Sequence, residues 1–250
     1  DDGWKIDLED ISKKMDDSVR LLVLINPNNP TGNVATEKEI EELIEIARDF
    51  PKCTIISDEI YDGLDFTGKI SSTASLSNEV PVITLNGVSK VYFAPGWRVG
   101  YMAWHDPKLV LSSVRDGVER LLRSRLCAST PAQYGFLAGL TDETDWLESH
   151  RSTIQERLEY SISRINEIEG LECHPPGGAF YLFVKITDPD LSKDDKKFVL
   201  DLLQKKHVLV VHGSGFSTEM GKGHFRMVSL PDLPILEEAF DRIDSFIRES

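Results

Sequence analysis

The sequence predicts an α/β protein with a parallel-rich sheet and helices on both of its faces, followed by a smaller C-terminal α+β domain. In the first half, short runs rich in β-branched residues alternate with segments of helical periodicity, which is the rhythm of a parallel sheet. In the second half helical patterns dominate before strand-like runs return. We therefore expect a large domain over residues 1–142 and a small domain over residues 143–250.

The elements of the first half follow from their local patterns. Four strands are predicted, over residues 20–26, 53–57, 80–85 and 98–104. The continuous apolar run within the first is typical of a strand buried on both faces. Between the first two, Thr36 and Glu39 have the spacing of a capping box, which predicts a helix beginning there. Apolar residues follow at helical spacing, namely Ile40, Leu43, Ile44 and Ala47.

The second half reads as helical from about residue 107 to 169, with Gly170 as a C-terminal cap. A long helix near residues 141–146 is expected to join the domains. A strand over 178–186, a helix over 196–206, a strand pair over 208–211 and 224–229 and an amphipathic helix over 233–247 complete the prediction. The charges at residues 194–197 predict a solvated helix start.

Composition narrows the classes of function. The chain has 42 acidic and 28 basic residues and a net charge of −14, which argues against binding nucleic acid or an anionic membrane. The best apolar run, residues 21–25, is too short to span a bilayer. The three cysteines are far apart and form no CxxC pair, so we expect no metal site, no disulfide framework and a cytoplasmic location. Cys127 is expected to be a small buried residue.

Four polar residues come at or just after predicted strands: Asn29, Asp58, Lys90 and Arg98. Ligands of open α/β sheets bind beyond the carboxyl ends of the strands, so these side chains are candidates for one site. Taken singly, each has an ordinary interpretation. The asparagine-rich segment around Asn29 could be a turn, and Asp58 could accept backbone N–H bonds at a strand end.

Lys90 and Arg98 together are candidates for Schiff-base chemistry and for phosphate binding. A lysine that forms a Schiff base must be partly desolvated or lie beside other cations, so that its amine can lose a proton. Arg98, eight residues away, is such a cation, and arginine is suited to holding phosphate. Tyr61, three residues after Asp58, could bring a phenol to the same ligand.

Four motifs occur in order: NPNNPTG, SDEIYDGL, GVSKVYFAPGWRVGY and HFRMVSL. Together they resemble the class I and II aminotransferases, pyridoxal-phosphate enzymes of fold type I, and the resemblance covers essentially the whole chain. It implies that the first domain is the family's large domain, incomplete, and that the second is its small domain.

The resemblance also implies roles for individual residues. It makes Lys90 the lysine that binds pyridoxal 5′-phosphate covalently and later moves the substrate proton. It pairs Asp58 with the pyridinium nitrogen of the cofactor, which keeps the ring an electron sink. Tyr61 and Asn29 are implied to bind the phenolate oxygen of the cofactor.

The remaining implied contacts concern phosphate and substrate. Arg98, with Ser89 as a weaker candidate, is implied to hold the phosphate. Arg226 is implied to bind the substrate α-carboxylate as a fork, with Asn29 beside it. Two departures from the family stand out. Gly87 occupies a position where members often carry a hydroxyl, and the glycine-rich phosphate turn, the ring-stacking aromatic residue and the exchanged arm are expected before Asp1.

We expect an aminotransferase that moves an amino group from an amino acid to a 2-oxo acid such as 2-oxoglutarate. The HGSGF and YFAPGWR segments resemble alanine-type members, which favours alanine or another small donor; aspartate and aromatic donors stay open. A homodimer is implied by the family. The alternatives are a C–S lyase that uses the same lysine and the aminotransferase-like sensor domain of a transcription regulator.

Overall fold

The computed structural model describes residues 3–142 and 146–250. The chain divides into two compact units, a C-terminal unit (Asp1–Trp4, Asn28–Asn33 and Trp146–Ser250) and an N-terminal unit (Lys5–Pro27 and Val34–Asp145). The predicted domain boundary after residue 142 and the middle of the predicted connection fall at residues 143–145, outside the described residues.

The N-terminal unit is built on a sheet of four strands in the order β1-β2-β3-β4, where β1–β2 and β2–β3 are parallel and β3–β4 is antiparallel. This is the parallel-rich sheet that the sequence predicts. Its strands are β1 (Leu21–Ile25), β2 (Thr54–Asp58), β3 (Val82–Gly87) and β4 (Gly100–His105). Its helices are α1 (Leu8–Lys14), α2 (Glu37–Arg48), α3 (Thr73–Leu76), α4 (Ser112–Arg125) and α5 (Thr130–Thr141).

Helix α2 begins at the predicted capping box. The Thr36 hydroxyl accepts the Glu39 backbone N–H at 3.2 Å, and the Glu39 carboxylate accepts the Thr36 N–H at 2.8 Å. These reciprocal bonds satisfy two N–H groups that a helix start leaves unpaired. The four apolar residues at helical spacing are buried, and they pack in one core with Leu24 of β1 and Ile55 of β2.

Within the predicted helical region, α4 and α5 are separate helices. Leu126 has a φ of +71°, which ends α4, and Pro131 lies in the first turn of α5. The prediction that Cys127 is buried is wrong: it is exposed, because it lies in the link between two helices whose apolar side chains are themselves exposed.

The C-terminal unit contains a second four-stranded sheet in the order β5-β6-β8-β7, with antiparallel pairs. Its strands are β5 (Leu171–Glu172), β6 (Tyr181–Ile186), β7 (Val211–His212) and β8 (His224–Val228), and its helices are α6 (Trp146–Glu167), α7 (Asp195–Lys206) and α8 (Leu233–Arg248). The predicted strand over 208–211 is wrong in extent. Only Val211 and His212 pair with β8.

The core of this unit is the packing of helices against the sheet. Helix α8 buries Leu236, Phe240, Ile243 and Phe246 at helical spacing, as its pattern predicts. The prediction of a solvated start for α7 is wrong at Asp195. This residue is buried, and its carboxylate accepts the backbone N–H of Ser214 at 2.6 Å.

In residues 3–142 and 146–250, no helix is both long enough and apolar enough to cross a membrane.

Candidate functional site

The carboxyl ends of the parallel strands carry the polar residues of the N-terminal unit. The register pairs Ile25 of β1 with Asp58 of β2, and Asp58 with Leu85 of β3. Lys90 follows the end of β3 by three residues. Because parallel strands end at the same edge of a sheet, this is the position where an open α/β sheet binds its ligand.

Asp58 is the anionic group at this edge. Burial raises the pKa of its carboxyl above the ordinary value, while the N–H of Ile60 at 3.2 Å and the positive charge of Lys90 act in the opposite direction. A partly buried carboxylate of this kind lacks full compensation within its own unit. It is suited to facing a cationic group of a ligand.

Lys90 lies beside Tyr61. The Lys90 ammonium is 5.8 Å from the centroid of the Tyr61 ring, and Tyr61 is buried with 3% of its surface exposed. Tyr61 comes just before the short 3₁₀ turn Asp62–Leu64 that follows β2. The structure therefore brings Asp58, Tyr61 and Lys90 together, three residues that the sequence names separately.

Ser89 and Arg98 lie in the loop that joins β3 to β4. The strand pairing ends at Gly87 and Gly100, and one further bond joins Val88 N–H to Val99 O at 3.2 Å. Ser89 is the next residue out on one side, and Arg98 is the next on the other. Arg98 has a φ of +54° and is exposed, and its Nη1 donates to Pro95 O at 2.8 Å.

Gly87 is a glycine for a steric reason. A Cβ at this position would lie 2.7 Å from Val99 O and 2.9 Å from Gly100 Cα. The hydroxyl residue that the family often carries here therefore does not fit beside β4. Ser89 is left as the hydroxyl next to Lys90.

Glu59, which the sequence motifs did not single out, is buried beside Asp58. Its Oε1 accepts the hydroxyls of Ser57 and Ser72, each at 2.9 Å, and the N–H of Thr73 at 3.1 Å. Burial raises its pKa, and these bonds oppose the rise. Glu59 thus ties the start of α3 to the strand end that carries Asp58. Its place in the motif, next to Asp58, was the one available signal.

A second missed contact joins the two loops that carry Tyr61 and Lys90. Asn86, near the end of β3, donates through its side-chain amide to Asp62 Oδ2 at 2.9 Å. Its Oδ1 accepts the Gly87 N–H at 2.7 Å. Burial raises the pKa of Asp62, and the two hydrogen bonds it accepts, from Gly63 and Asn86, oppose the rise.

In the C-terminal unit, residues 28–33 form a turn closed by its own hydrogen bonds. Asn28 N–H donates to Asn33 O at 2.8 Å, and Gly32 N–H donates to Asn28 O at 2.9 Å. Gly32 has a φ of +70°, and its carbonyl accepts the N–H groups of Gly177 and Gly178, each at 2.9 Å. A side chain there would meet Pro176, so glycine is required for both conformation and contact.

This turn brings Asn29 to Arg226. Arg226 Nη1 donates to Asn29 Oδ1 at 2.7 Å. The guanidinium carbon also lies 4.6 Å from the ring centroid of Tyr181 and 4.7 Å from that of Phe216. Arg226 Nε is buried and is among the few buried side-chain polar atoms of the described residues that have no hydrogen-bond partner. Arg226 is therefore a cation held among other side chains, and its guanidinium has N–H groups available to a ligand.

The described residues contain no cluster of three side chains suited to hold a metal ion. Instead, each unit holds one set of polar side chains that could bind a ligand. The N-terminal unit groups a carboxylate, a phenol and an amine, with a hydroxyl and a guanidinium on the adjoining loop. The C-terminal unit holds a guanidinium beside an amide.

The chain is similar to known proteins in sequence and in fold. The family described as aminotransferase class I and II matches residues 1–243. Glutamate-pyruvate aminotransferase AlaA of Haemophilus influenzae is 35% identical over 257 residues, which are 100% of this chain and 62% of that protein. Aromatic-amino-acid aminotransferase 2 of Thermococcus litoralis is 34% identical over 254 residues, 98% of this chain and 62% of its own length.

The solved structure of alanine aminotransferase from Pyrococcus furiosus is 49% identical to the chain and matches it with a TM-score of 0.94, covering 99% of this chain and 62% of that one. The aspartate aminotransferase of Thermotoga maritima matches with a TM-score of 0.83 at 32% identity, over 98% of this chain and 60% of its own. The chain thus spans about three fifths of the length of these relatives.

Proposed function

The chain belongs to the class I and II aminotransferases, and we propose that the whole protein is a pyridoxal-phosphate-dependent transaminase of small amino acids. The observation that carries the proposal is the grouping of Asp58, Tyr61 and Lys90 at the carboxyl end of the parallel strands. These are the three side-chain types that the ring of the cofactor needs.

The donor set of the N-terminal unit fits this cofactor. Asp58 is a partly buried carboxylate for the ring nitrogen, Tyr61 is a phenol for the ring oxygen, and Lys90 is the amine for the aldehyde. Arg98 and Ser89 are the cation and hydroxyl for the phosphate. When bound, pyridoxal phosphate supplies an electron sink and carries the amino group between substrates.

Lys90 is the acid–base group of the reaction. A lysine amine must be uncharged to act as a nucleophile or a base. Lys90 Nζ is the proposed base that would take the proton from the substrate α-carbon. General-base action of a positioned amine is worth roughly 10²–10⁴-fold in rate.

Arg226 and Asn29 are proposed to bind the substrate carboxylate. The guanidinium presents N–H groups in a fork that matches a carboxylate, and Asn29 fixes its orientation through the 2.7 Å bond. Asn29 is also proposed to bind the ring oxygen of the cofactor through its amide N–H₂, which is the donor of this side chain.

Alanine or another small amino acid is the proposed donor, with 2-oxoglutarate as acceptor. The support is that a relative named glutamate-pyruvate aminotransferase and a structure titled alanine aminotransferase match nearly all of this chain. The proposal is tested by a screen of amino donors on the full-length protein with 2-oxoglutarate. We expect glutamate to form fastest with alanine; a clear preference for aspartate or an aromatic donor would overturn the substrate assignment.

We further propose a cytoplasmic homodimer. Helices α4 and α5 carry strongly exposed apolar side chains, among them Leu121, Leu122 and Tyr134, and such surface is typical of an interface. The free cysteines at positions 53, 127 and 173 accord with a reducing compartment. Light scattering of the purified full-length protein tests the dimer, and a monomeric mass would contradict it.

A further inference from the structure

Two aromatic rings flank the guanidinium of Arg226, and we propose that they make this site selective for planar carboxylates over tetrahedral anions. The rings belong to Tyr181 and Phe216, whose centroids lie 4.6 and 4.7 Å from the guanidinium carbon. The inference rests on the proposed function, since it takes Arg226 as the carboxylate-binding residue. It adds two residues that determine which anion that site accepts.

The selectivity follows from the shape of the groups. Guanidinium and carboxylate are both planar, and their paired hydrogen bonds are strongest when the two planes coincide. The guanidinium carbon of Arg226 lies over both ring faces, which attract the cation and occupy space beside it. A carboxylate can then approach within the plane, whereas the third oxygen of a sulfonate must project out of the plane, where the rings leave less room.

The N–H groups of Arg226 restrict the approach further. Its Nε is buried, so an anion from solvent cannot reach it without displacing its neighbours. Nη1 already gives one hydrogen to Asn29 Oδ1. The edge left for an anion is the pair Nη1 and Nη2, which presents two parallel N–H bonds to two coplanar oxygens.

Each ring has its own support. Tyr181 begins β6, where it is paired with Val228 of β8 and has 4% of its surface exposed. Phe216 follows the turn Gly213–Gly215 and meets the ring of Phe183 edge to face at 6.1 Å.

The turn before Phe216 is anchored at two points. The buried Asp195 carboxylate accepts the Ser214 N–H at 2.6 Å. Gly213 lies so close to Gly221 that a Cβ would be 2.1 Å from the Gly221 carbonyl oxygen. These anchors fix the loop that carries the Phe216 ring against Arg226.

The test compares two monoanions that differ in shape, propionate and ethanesulfonate. Their dissociation constants are measured by ligand-observed NMR on the cofactor-free full-length protein, and their inhibition constants are measured on the loaded enzyme. We expect the wild type to prefer propionate by about tenfold. Phe216→Leu keeps an apolar side chain but removes the ring face, and should lower this preference to about twofold and weaken propionate binding about fivefold.

Phe216→Tyr keeps the ring face and should retain the preference for propionate. Met220→Leu is the matched control in the same loop, because Met220 is two-thirds exposed, and it should change neither constant. Tyr181→Phe should likewise retain the preference, and Tyr181→Leu, if it folds, should lose it. Equal binding of the two anions by the wild type, or an unchanged preference in Phe216→Leu, would overturn the inference.

Arg226→Gln separates this inference from the proposed function. If it abolishes propionate binding, Arg226 is the carboxylate site, and an unchanged preference in Phe216→Leu then overturns only the role of the rings. If Arg226→Gln binds propionate as the wild type does, Arg226 is not that site, and both the inference and the proposed substrate contact fall.

Discussion

Asn29 Oδ1 accepts a hydrogen bond of 2.7 Å from Arg226 Nη1, although 197 residues separate the two along the chain. The bond joins the turn 28–33 to strand β8 within the C-terminal unit. It restricts the orientation of the guanidinium. Without such a bond, the long side chain of arginine can adopt several rotamers. A charge-assisted bond of this kind contributes more than a neutral one, roughly 1.5–3 kcal/mol.

The first prediction is that Arg226→Lys raises KM for alanine far more than it lowers kcat. Lysine keeps the charge but presents a single ammonium instead of a fork, so both the paired bonds and the bond to Asn29 change. We expect kcat/KM to fall about 10²-fold. Steady-state kinetics check this, with Arg248→Lys, an exposed arginine of α8, as control. A fall carried by kcat alone would contradict a role in binding.

The second prediction is that Asp58→Asn stabilises the cofactor-free protein and disables the enzyme. Burial raises the folded-state pKa of Asp58, so between the unfolded and folded pKa values the native state binds more protons than the unfolded state. The contribution of Asp58 to the free energy of unfolding therefore falls as pH rises between these two pKa values. Asparagine removes the effect, and we expect a gain in the free energy of unfolding at pH 7 that disappears below about pH 4.

Urea denaturation at pH 7 and at pH 4 measures this gain, and Asp17→Asn, a change at an exposed site, is the control. On the enzyme, loss of the anionic partner should lower kcat about 10²-fold or more. A variant that loses stability at pH 7, or keeps wild-type turnover, would remove Asp58 from its proposed role.

The third prediction concerns Glu59. Glu59→Ala leaves the hydroxyls of Ser57 and Ser72 and the Thr73 N–H without their shared acceptor, and should lower the free energy of unfolding by about 2–3 kcal/mol. Glu59→Gln retains an oxygen acceptor and should lose under 1 kcal/mol. The control, Glu41→Ala on the exposed side of α2, should stay within about 0.5 kcal/mol. Equal losses for Gln and Ala would show that the shared acceptor is not what matters.

The fourth prediction is that Gly87→Ser fails to add a phosphate contact. The new Cβ would lie 2.7 Å from Val99 O, so β3 and β4 must move apart and the loop with Lys90 moves with them. We expect a loss of about 1–3 kcal/mol in stability and weaker cofactor binding. Gly96→Ser, in the same loop with nothing within 4 Å of its Cβ, is the matched control. Tighter cofactor binding in Gly87→Ser would contradict the steric account.

Local patterns predict the elements that local forces specify. The capping box at Thr36 and the apolar stripe of α8 appear in the structure where the sequence has them, because caps and amphipathic faces depend on neighbours in sequence. Strand ends are less determined. Residues 208–210 are apolar like a strand but do not pair, because strand extent depends on the partner β8, which the local pattern does not contain.

The site divides in the same way. The four motifs predict which side chains carry chemistry, and the roles implied for them stay predictions. The supports around them depend on contacts between distant segments: Asp195 with Ser214, Glu59 with Thr73, and the rings against Arg226. Such contacts produce no periodic pattern in the sequence. From the sequence alone, a buried acid such as Asp195 cannot be distinguished from the exposed charges beside it.

Amino transfer by Lys90 is tested most directly by a single turnover of the full-length, cofactor-loaded protein with excess L-alanine and no acceptor. We expect one equivalent of pyruvate per active site and no free ammonia. We expect pyruvate to be lost in Lys90→Ala, whereas Lys69→Ala, a change at an exposed lysine, leaves its yield intact. Continuing release of ammonia with the 2-oxo acid, or an undiminished yield from Lys90→Ala, would contradict an amino transfer carried out by Lys90.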